Sequence, residues 1–244
     1  MEHATKGRPR SFDEDQAIDA AMRVFWEKSF EGTTMTDLTD ATGLSRSSIH
    51  AAFGSKEGLF LRAVERYRSV QMRYIPKALA EPTLPRAIEA LFRGMVNSLS
   101  IPGNPKGCLS IHGALACGTD GELVTQVMAK WRRSNENLIK ERIQQAQREG
   151  ELGRDVNAAD YARYITTIMI GIGIQAVNGA RRAELTRMVD MTLQFLSCSS
   201  FDPAASGDNS GERNVPMGIV PANPFPVDSG IEDSPWRRAR QGAR

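Results

Sequence analysis

The sequence predicts an all-α protein in two helical parts, a small three-helix N-terminal domain followed by a helical bundle. Three observations carry that reading. Apolar residues recur at helical spacing from Phe12 to about Leu196. No convincing stretch alternates with the period of two that a half-buried strand requires. The connections between apolar stripes are short and marked by Gly or Pro, as between the helices of a bundle. With 41% hydrophobic and 25% charged residues over 244 positions, the chain can bury a core, which excludes wholesale disorder.

In chain order, residues 1–11 form a basic arm with Lys6, Arg8 and Arg10 and lead into no apolar signal segment. Ser11 with Glu14 reads as a capping box for a first helix, whose inner stripe is Ile18, Met22, Phe25 and Trp26 and which ends near Gly32. Two short helices are expected at Met35–Thr42 and Arg46–Phe53. Only Gly43, Leu44 and Ser45 separate them, Gly43 suited to a left-handed C-cap and Ser45 to an N-cap. A fourth helix should run from Lys56 toward Tyr74, after which Pro76, Pro82 and Pro85 punctuate the chain. Longer helices follow: one carrying Leu84 to Leu99, one capped by Thr119 and Glu122 and ending before Gly150, then Asn157 to Asn178 and Ala183 to Leu196. Residues 198–244 hold six of the twelve prolines and no helical period, so a disordered tail is expected there. The domains therefore read as 1–11, 12–68, 69–197 and 198–244.

A formal charge of +2 singles out neither nucleic acid nor membrane as partner. Three cysteines, Cys108, Cys117 and Cys198, are too few for a disulfide framework and suit a reducing cytoplasm. The most apolar stretch, Ile165 to Val177, is shorter than the roughly 18 residues a membrane span needs. The histidines are His3, His50 and His112, and the chain carries no nucleophile elbow, phosphate loop, dinucleotide fingerprint or metal quartet. No enzyme, cofactor or resident metal is expected.

Two short helices joined by a Gly-containing three-residue turn are the sequence form of a helix-turn-helix. Leu38, Ala41, Leu44, Ile49 and Phe53 would supply its inward face, leaving Arg46, Ser47 and Ser48 outward at the start of the second helix. Residues 1–75 hold 11 Lys/Arg and 11 Asp/Glu, yet between Asp40 and Glu57 the only charges are Arg46 and Lys56. The run Gly32-Thr-Thr-Met-Thr-Asp-Leu38, Ala41-Thr-Gly-Leu-Ser45 and Ser48-Ile-His-Ala-Ala-Phe-Gly-Ser-Lys-Glu57 resembles the N-terminal domain of the tetracycline-repressor family of bacterial regulators over about residues 8 to 68. The rest fits the family's helical ligand-binding and dimerisation domain by length and helix content alone.

The resemblance implies a homodimer that binds an inverted-repeat operator in double-stranded DNA and leaves it when a small hydrophobic effector binds. It implies a DNA-facing set: Thr34 as cap of the first short helix, Thr36 exposed, Arg46, Ser47 and Ser48 reading the groove, and Lys56 on a phosphate. His50 stands where the family usually has Tyr, and Ser47 where it often has Gly or Pro.

For the second part, an apolar helix at Ile165–Ile174 and the stripes of the last helix point to a four-helix dimer interface using Ile168, Gly171, Ile172, Gly173, Met188, Thr192 and Phe195. Candidate effector contacts are Phe92, Met95, Cys108, His112, Met128 and Trp131, though such residues are more often plain core. Two other readings stay open: a thiol- or metal-responsive regulator using Cys108 and His112, which lie at i and i+4 if helical, and a DNA-binding scaffold with no effector.

Overall fold

A computed structural model describes residues 12–113 and 121–198. The basic arm, Ser11, Cys117, Thr119 and the tail from 199 onward lie outside the described residues, as does the side chain of His112. Every regular element among the described residues is helical.

Helix α1 spans Glu14–Gly32 and is opened by Asp13, whose carboxylate accepts from the amides of Asp15 at 3.0 Å and Gln16 at 3.2 Å. The cap is thus Asp13, not the expected Ser11. Ile18, Met22, Phe25 and Trp26 are buried along its inner stripe. Near its end the helix kinks at Ser29, which takes φ 60° and ψ 174°. The kink frees the amide of Phe30, which donates across the molecule to the Gly113 carbonyl at 2.9 Å.

Helices α2 (Met35–Thr42) and α3 (Arg46–Phe53) have the predicted limits. Gly43 closes α2 at φ 70°, a left-handed conformation that costs other residues energy. Ser45 then opens α3 by accepting from the Ser48 amide at 3.1 Å. Leu38 and Ile49 are fully buried, and Leu44 and Phe53 pack half-buried against the core. Ala41, expected inward, is exposed. Leu38 is the one fully buried residue of α2, and Ala41 falls on the helix's outer face.

Helix α4 runs only over Lys56–Gln71. Tyr74, expected at its end, instead opens a separate α5 (Tyr74–Leu79). Pro76 does not break α5 because it sits in the first turn, where an amide has no intrahelical acceptor. Pro85 likewise lies in the first turn of α6 (Leu84–Leu99). Then come α7 (Leu109–His112), α8 (Glu122–Glu149), α9 (Ala158–Val177, capped by Asn157) and α10 (Arg182–Cys198).

The Phe60 ring meets Phe25 and Phe30 edge-on, at 5.0 and 5.2 Å between ring centres. This knot ties α1 to α4. Trp26 extends it toward the bundle, with its ring 4.8 Å from Tyr67 and its indole N–H donating to the Gly107 carbonyl at 3.0 Å.

Helix α9 is not apolar and buried all round. Ile165 and Ile172 are fully buried, Ile168 and Ile174 are half-exposed, and Gly171 is exposed with open space beside it. A Cβ at Gly173 would collide with Ile111, so this glycine lets α9 approach α7 within one chain. Ile172 and Gly173, expected at a dimer interface, therefore belong to the protomer's own core.

Candidate functional site

The helix-turn-helix presents its polar side through a chain of local hydrogen bonds. Thr34 caps α2 in a full capping box: its hydroxyl accepts from the Asp37 amide at 3.1 Å, and the Asp37 carboxylate accepts from the Thr34 amide at 2.8 Å. Asp37 also pairs with Lys28 of α1 at 2.6 Å. That ammonium, followed by the Thr34 amide and hydroxyl, holds the Asp37 carboxyl well below the usual carboxylate range. Sequence reasoning missed the Lys28 contact; nine residues separate the two across the kink at Ser29, so no helical spacing signals it.

At the start of α3, the Ser45 hydroxyl is hydrogen-bonded to the hydroxyls of Ser47 and Ser48, each at 2.9 Å. Arg46 is exposed, and its guanidinium donates to the Thr36 hydroxyl of α2 at 3.2 Å. Thr36, Arg46, Ser47 and Ser48 thus form one polar surface across both short helices. Among the described residues Arg46 pairs with no carboxylate, whereas Arg62 and Arg66 of α4 bind Glu14 and Asp19 of α1 at 3.1 and 2.7 Å. Two of the acids of α1, Glu14 and Asp19, are thus taken by arginines of α4 rather than by Arg46.

The other two candidates are held differently. His50 Nδ1 lies against the Gly54 carbonyl. A carbonyl only accepts, so Nδ1 carries the proton and a neutral ring offers an acceptor at Nε2. The Lys56 ammonium sits 4.4 Å from the centre of the Phe30 ring, a cation–π contact at the start of α4.

The five effector candidates with described side chains do not converge on one cavity. Phe92, Met128 and Trp131 are core. Met95 and Cys108 line a cavity of only about 60 Å³. Cys108 caps α7 with extended backbone (φ −122°, ψ 122°) and α7 is four residues long, so Cys108 does not share a helical face with His112. The Cys108 sulfur accepts from the Tyr67 hydroxyl at 3.2 Å and is hydrogen-bonded to the Ser110 hydroxyl at 2.9 Å. Burial, then the neighbouring sulfur, pushes the Tyr67 phenol pKa well up. Of the expected dimer residues, Met188 and Phe195 are exposed, with Met191 (57%) and Phe195 (64%) the most open apolar side chains on α10. Ile168 and Thr192 are half-exposed.

Residues 17–63 match the family model for bacterial regulatory proteins of the tetR family, and residues 84–191 match a tetracyclin repressor-like C-terminal domain. The chain is 28% identical over 193 residues to the HTH-type transcriptional repressor ComR of Escherichia coli (strain K12), covering 78% of this chain and 92% of ComR. It is 26% identical over 194 residues to the HTH-type transcriptional repressor AcnR of Corynebacterium efficiens, covering 95% of that protein. Among solved structures, a cysteine mutant of the TetR family transcriptional regulator CifR complexed with 26 bp double-strand operator DNA matches at a TM-score of 0.74 and 32% identity. That match covers 77% of this chain and 98% of CifR.

Proposed function

Since the chain belongs to the TetR family of bacterial regulatory proteins, we propose that it is a DNA-binding repressor, acting as a homodimer on an inverted-repeat operator and released by a small hydrophobic effector. The observation that carries the reading is the exposed start of α3, where Arg46 has no carboxylate partner among the described residues and is steadied by Thr36. An arginine so placed can address guanine O6 and N7 together, a contact worth roughly 1–3 kcal/mol of discrimination. Ser47 and Ser48 flank it, Thr34 fixes α2 through its cap, and Lys56 and His50 are the phosphate candidates. His50 reaches a phosphate only through Nε2, since its Nδ1 is held by the Gly54 carbonyl. Lys56 would reach a phosphate only by leaving or sharing its place over Phe30.

Apolar side chains exposed on α9 and α10, among them Tyr164, Met188, Met191 and Phe195, support pairing of these helices with a second copy. Gly171 offers that partner a flat spot, since nothing lies within 4 Å of where its Cβ would be. Among the described residues no helix is long and apolar enough to cross a membrane. We place the protein in the cytoplasm, where its DNA target lies.

The test is a fluorescence titration of operator and scrambled duplexes with the wild type and Arg46→Ala. The variant should lose its preference for the operator while remaining dimeric. Equal discrimination before and after the substitution would remove Arg46 from the reading.

A second reading, release by oxidation or alkylation of Cys108, is favoured by one contact. The sulfur holds the hydroxyl of Tyr67, and Tyr67 stands on α4, which packs on the helix-turn-helix. Adding atoms to that buried sulfur would displace α4. Retained release by peroxide in Cys108→Ser would rule it out.

A further inference from the structure

Three donors on α1 meet three glycine carbonyls in residues 103–113, the stretch that leads from α6 to the end of α7. The guanidinium of Arg23 donates to the Gly103 carbonyl. The indole N–H of Trp26 donates to the Gly107 carbonyl at 3.0 Å, and the Phe30 amide to the Gly113 carbonyl at 2.9 Å. Arg23 and Trp26, three residues apart, share one face of α1. The kink at Ser29 frees the Phe30 amide for the third contact.

The acceptor side is stiffened by its own sequence. Pro102 and Gly103 form the centre of a turn closed by the Asn104 amide, which donates to the Ile101 carbonyl at 3.3 Å. Gly103 takes φ 79°, as the third position of a type II turn requires. Ile111 is buried against Gly173 of α9, which anchors the stretch in the bundle. Tyr67 of α4 reaches the same stretch, its hydroxyl donating to the Cys108 sulfur at 3.2 Å.

Helix α4 enters the bundle through only Met72 and Arg73 and packs there by Tyr67, whose ring lies 6.3 Å from that of Trp131. Contacts along a single helix oppose rotation about that helix least. The three bonds of α1 act beside that axis, from residue 23 to residue 30, over roughly 10 Å of helix. We propose that Arg23, Trp26 and Phe30 are positioning residues for operator recognition: they hold the DNA-reading domain at one angle on the bundle and so fix the half-site spacing that the dimer accepts. The proposal rests on reading the chain as a dimeric repressor of an inverted repeat, and it adds what sets the distance between the half-sites. One base pair added between them moves the half-sites about 3.4 Å apart and about 35° around the duplex. A domain held at one angle cannot follow that change, and a released one can.

The probe is the duplex that the full chain selects from a randomised pool, with derivatives carrying one base pair more or fewer between the half-sites. Competition titration should give the wild type a preference of about tenfold or more for the selected spacing. Trp26→Phe keeps a ring against Tyr67 and removes the donor, and it should narrow that preference several-fold. Arg23→Ala, at an exposed position where folding is not at stake, should narrow it too. A variant that is merely less stable loses affinity on every duplex alike and keeps the ratio. Ratios unchanged in both variants overturn the proposal. So does an equal narrowing in Glu27→Ala, which is exposed on α1 outside the three contacts, or a narrowing confined to variants that light scattering finds monomeric. A wild type that selects no inverted repeat would instead overturn the repressor reading on which the proposal rests.

Discussion

At the scale of single residues, Thr36 and Arg46 act as a unit. An exposed arginine has several freely rotating bonds to immobilise when it meets a base, and a pre-existing hydrogen bond lowers that cost. Thr36→Val should therefore reduce operator discrimination by several-fold through Arg46, while Arg46→Ala should reduce it by roughly 5- to 150-fold; competition titrations against single-base operator variants would measure both. Asp37 makes a prediction about pH. Its folded pKa lies below the ordinary 3.8, so its stabilisation is complete above that value and is lost as pH falls through the folded value. Asp37→Asn should flatten the acid limb of the stability–pH curve, as followed by thermal melting between about pH 2 and 5. An unchanged limb would mean that the Lys28 pair contributes nothing. Arg46 was legible in the sequence because its neighbours carry no acids. The tether to Thr36 was not, because it depends on the angle between two helices.

Among the elements, α2 and α3 were legible to the residue. Each end is written locally: Thr34 and Ser45 as caps, Gly43 and Gly54 after the last turns. The break between α4 and α5 was not, because its cause is tertiary. A Cβ at Gly94 of α6 would meet the Tyr74 ring at 2.5 Å, so the glycine leaves room for that ring and lets α5 dock on α6. The kink in α1 was missed for the same reason. Ser29 adopts a backbone conformation that essentially only glycine enters freely, at a cost of about 1–3 kcal/mol. Ser29→Gly should raise the unfolding free energy by about 1 kcal/mol without loss of operator binding, as read from urea denaturation. A destabilised variant would show that the Ser29 side chain repays the strain.

For the whole molecule, exposed apolar surface on α9 and α10 is the feature that a lone chain explains least well. Phe195→Asp, at a position 64% exposed, should shift a dimer toward monomer in light scattering at micromolar concentration and weaken operator affinity, while the isolated chain keeps its helicity. A variant still dimeric would place the interface elsewhere. With Arg62 and Arg66 taken by Glu14 and Asp19, few cations of the reading domain are left for phosphates. The slope of log affinity against log salt should accordingly be shallow, about −2 to −4 for a dimer at roughly −0.9 per phosphate neutralised. Ile172 and Gly173, expected at an interface, are buried in their own chain instead, because helical periodicity cannot tell a chain's own core from a partner's.

The Phe30 amide has a use of its own. Its acceptor, the Gly113 carbonyl, lies beyond α6 and next to the short α7, so this one hydrogen bond spans the DNA-reading and bundle halves. Its hydrogen-exchange lifetime therefore counts how often the halves part, much as a latch records each opening of a door. A ligand that frees the repressor by shifting α7 should shorten that lifetime while the amides of Leu38 and Ile49, whose bonds close within the helix-turn-helix, keep theirs. One that melts the reading head itself should shorten all three together.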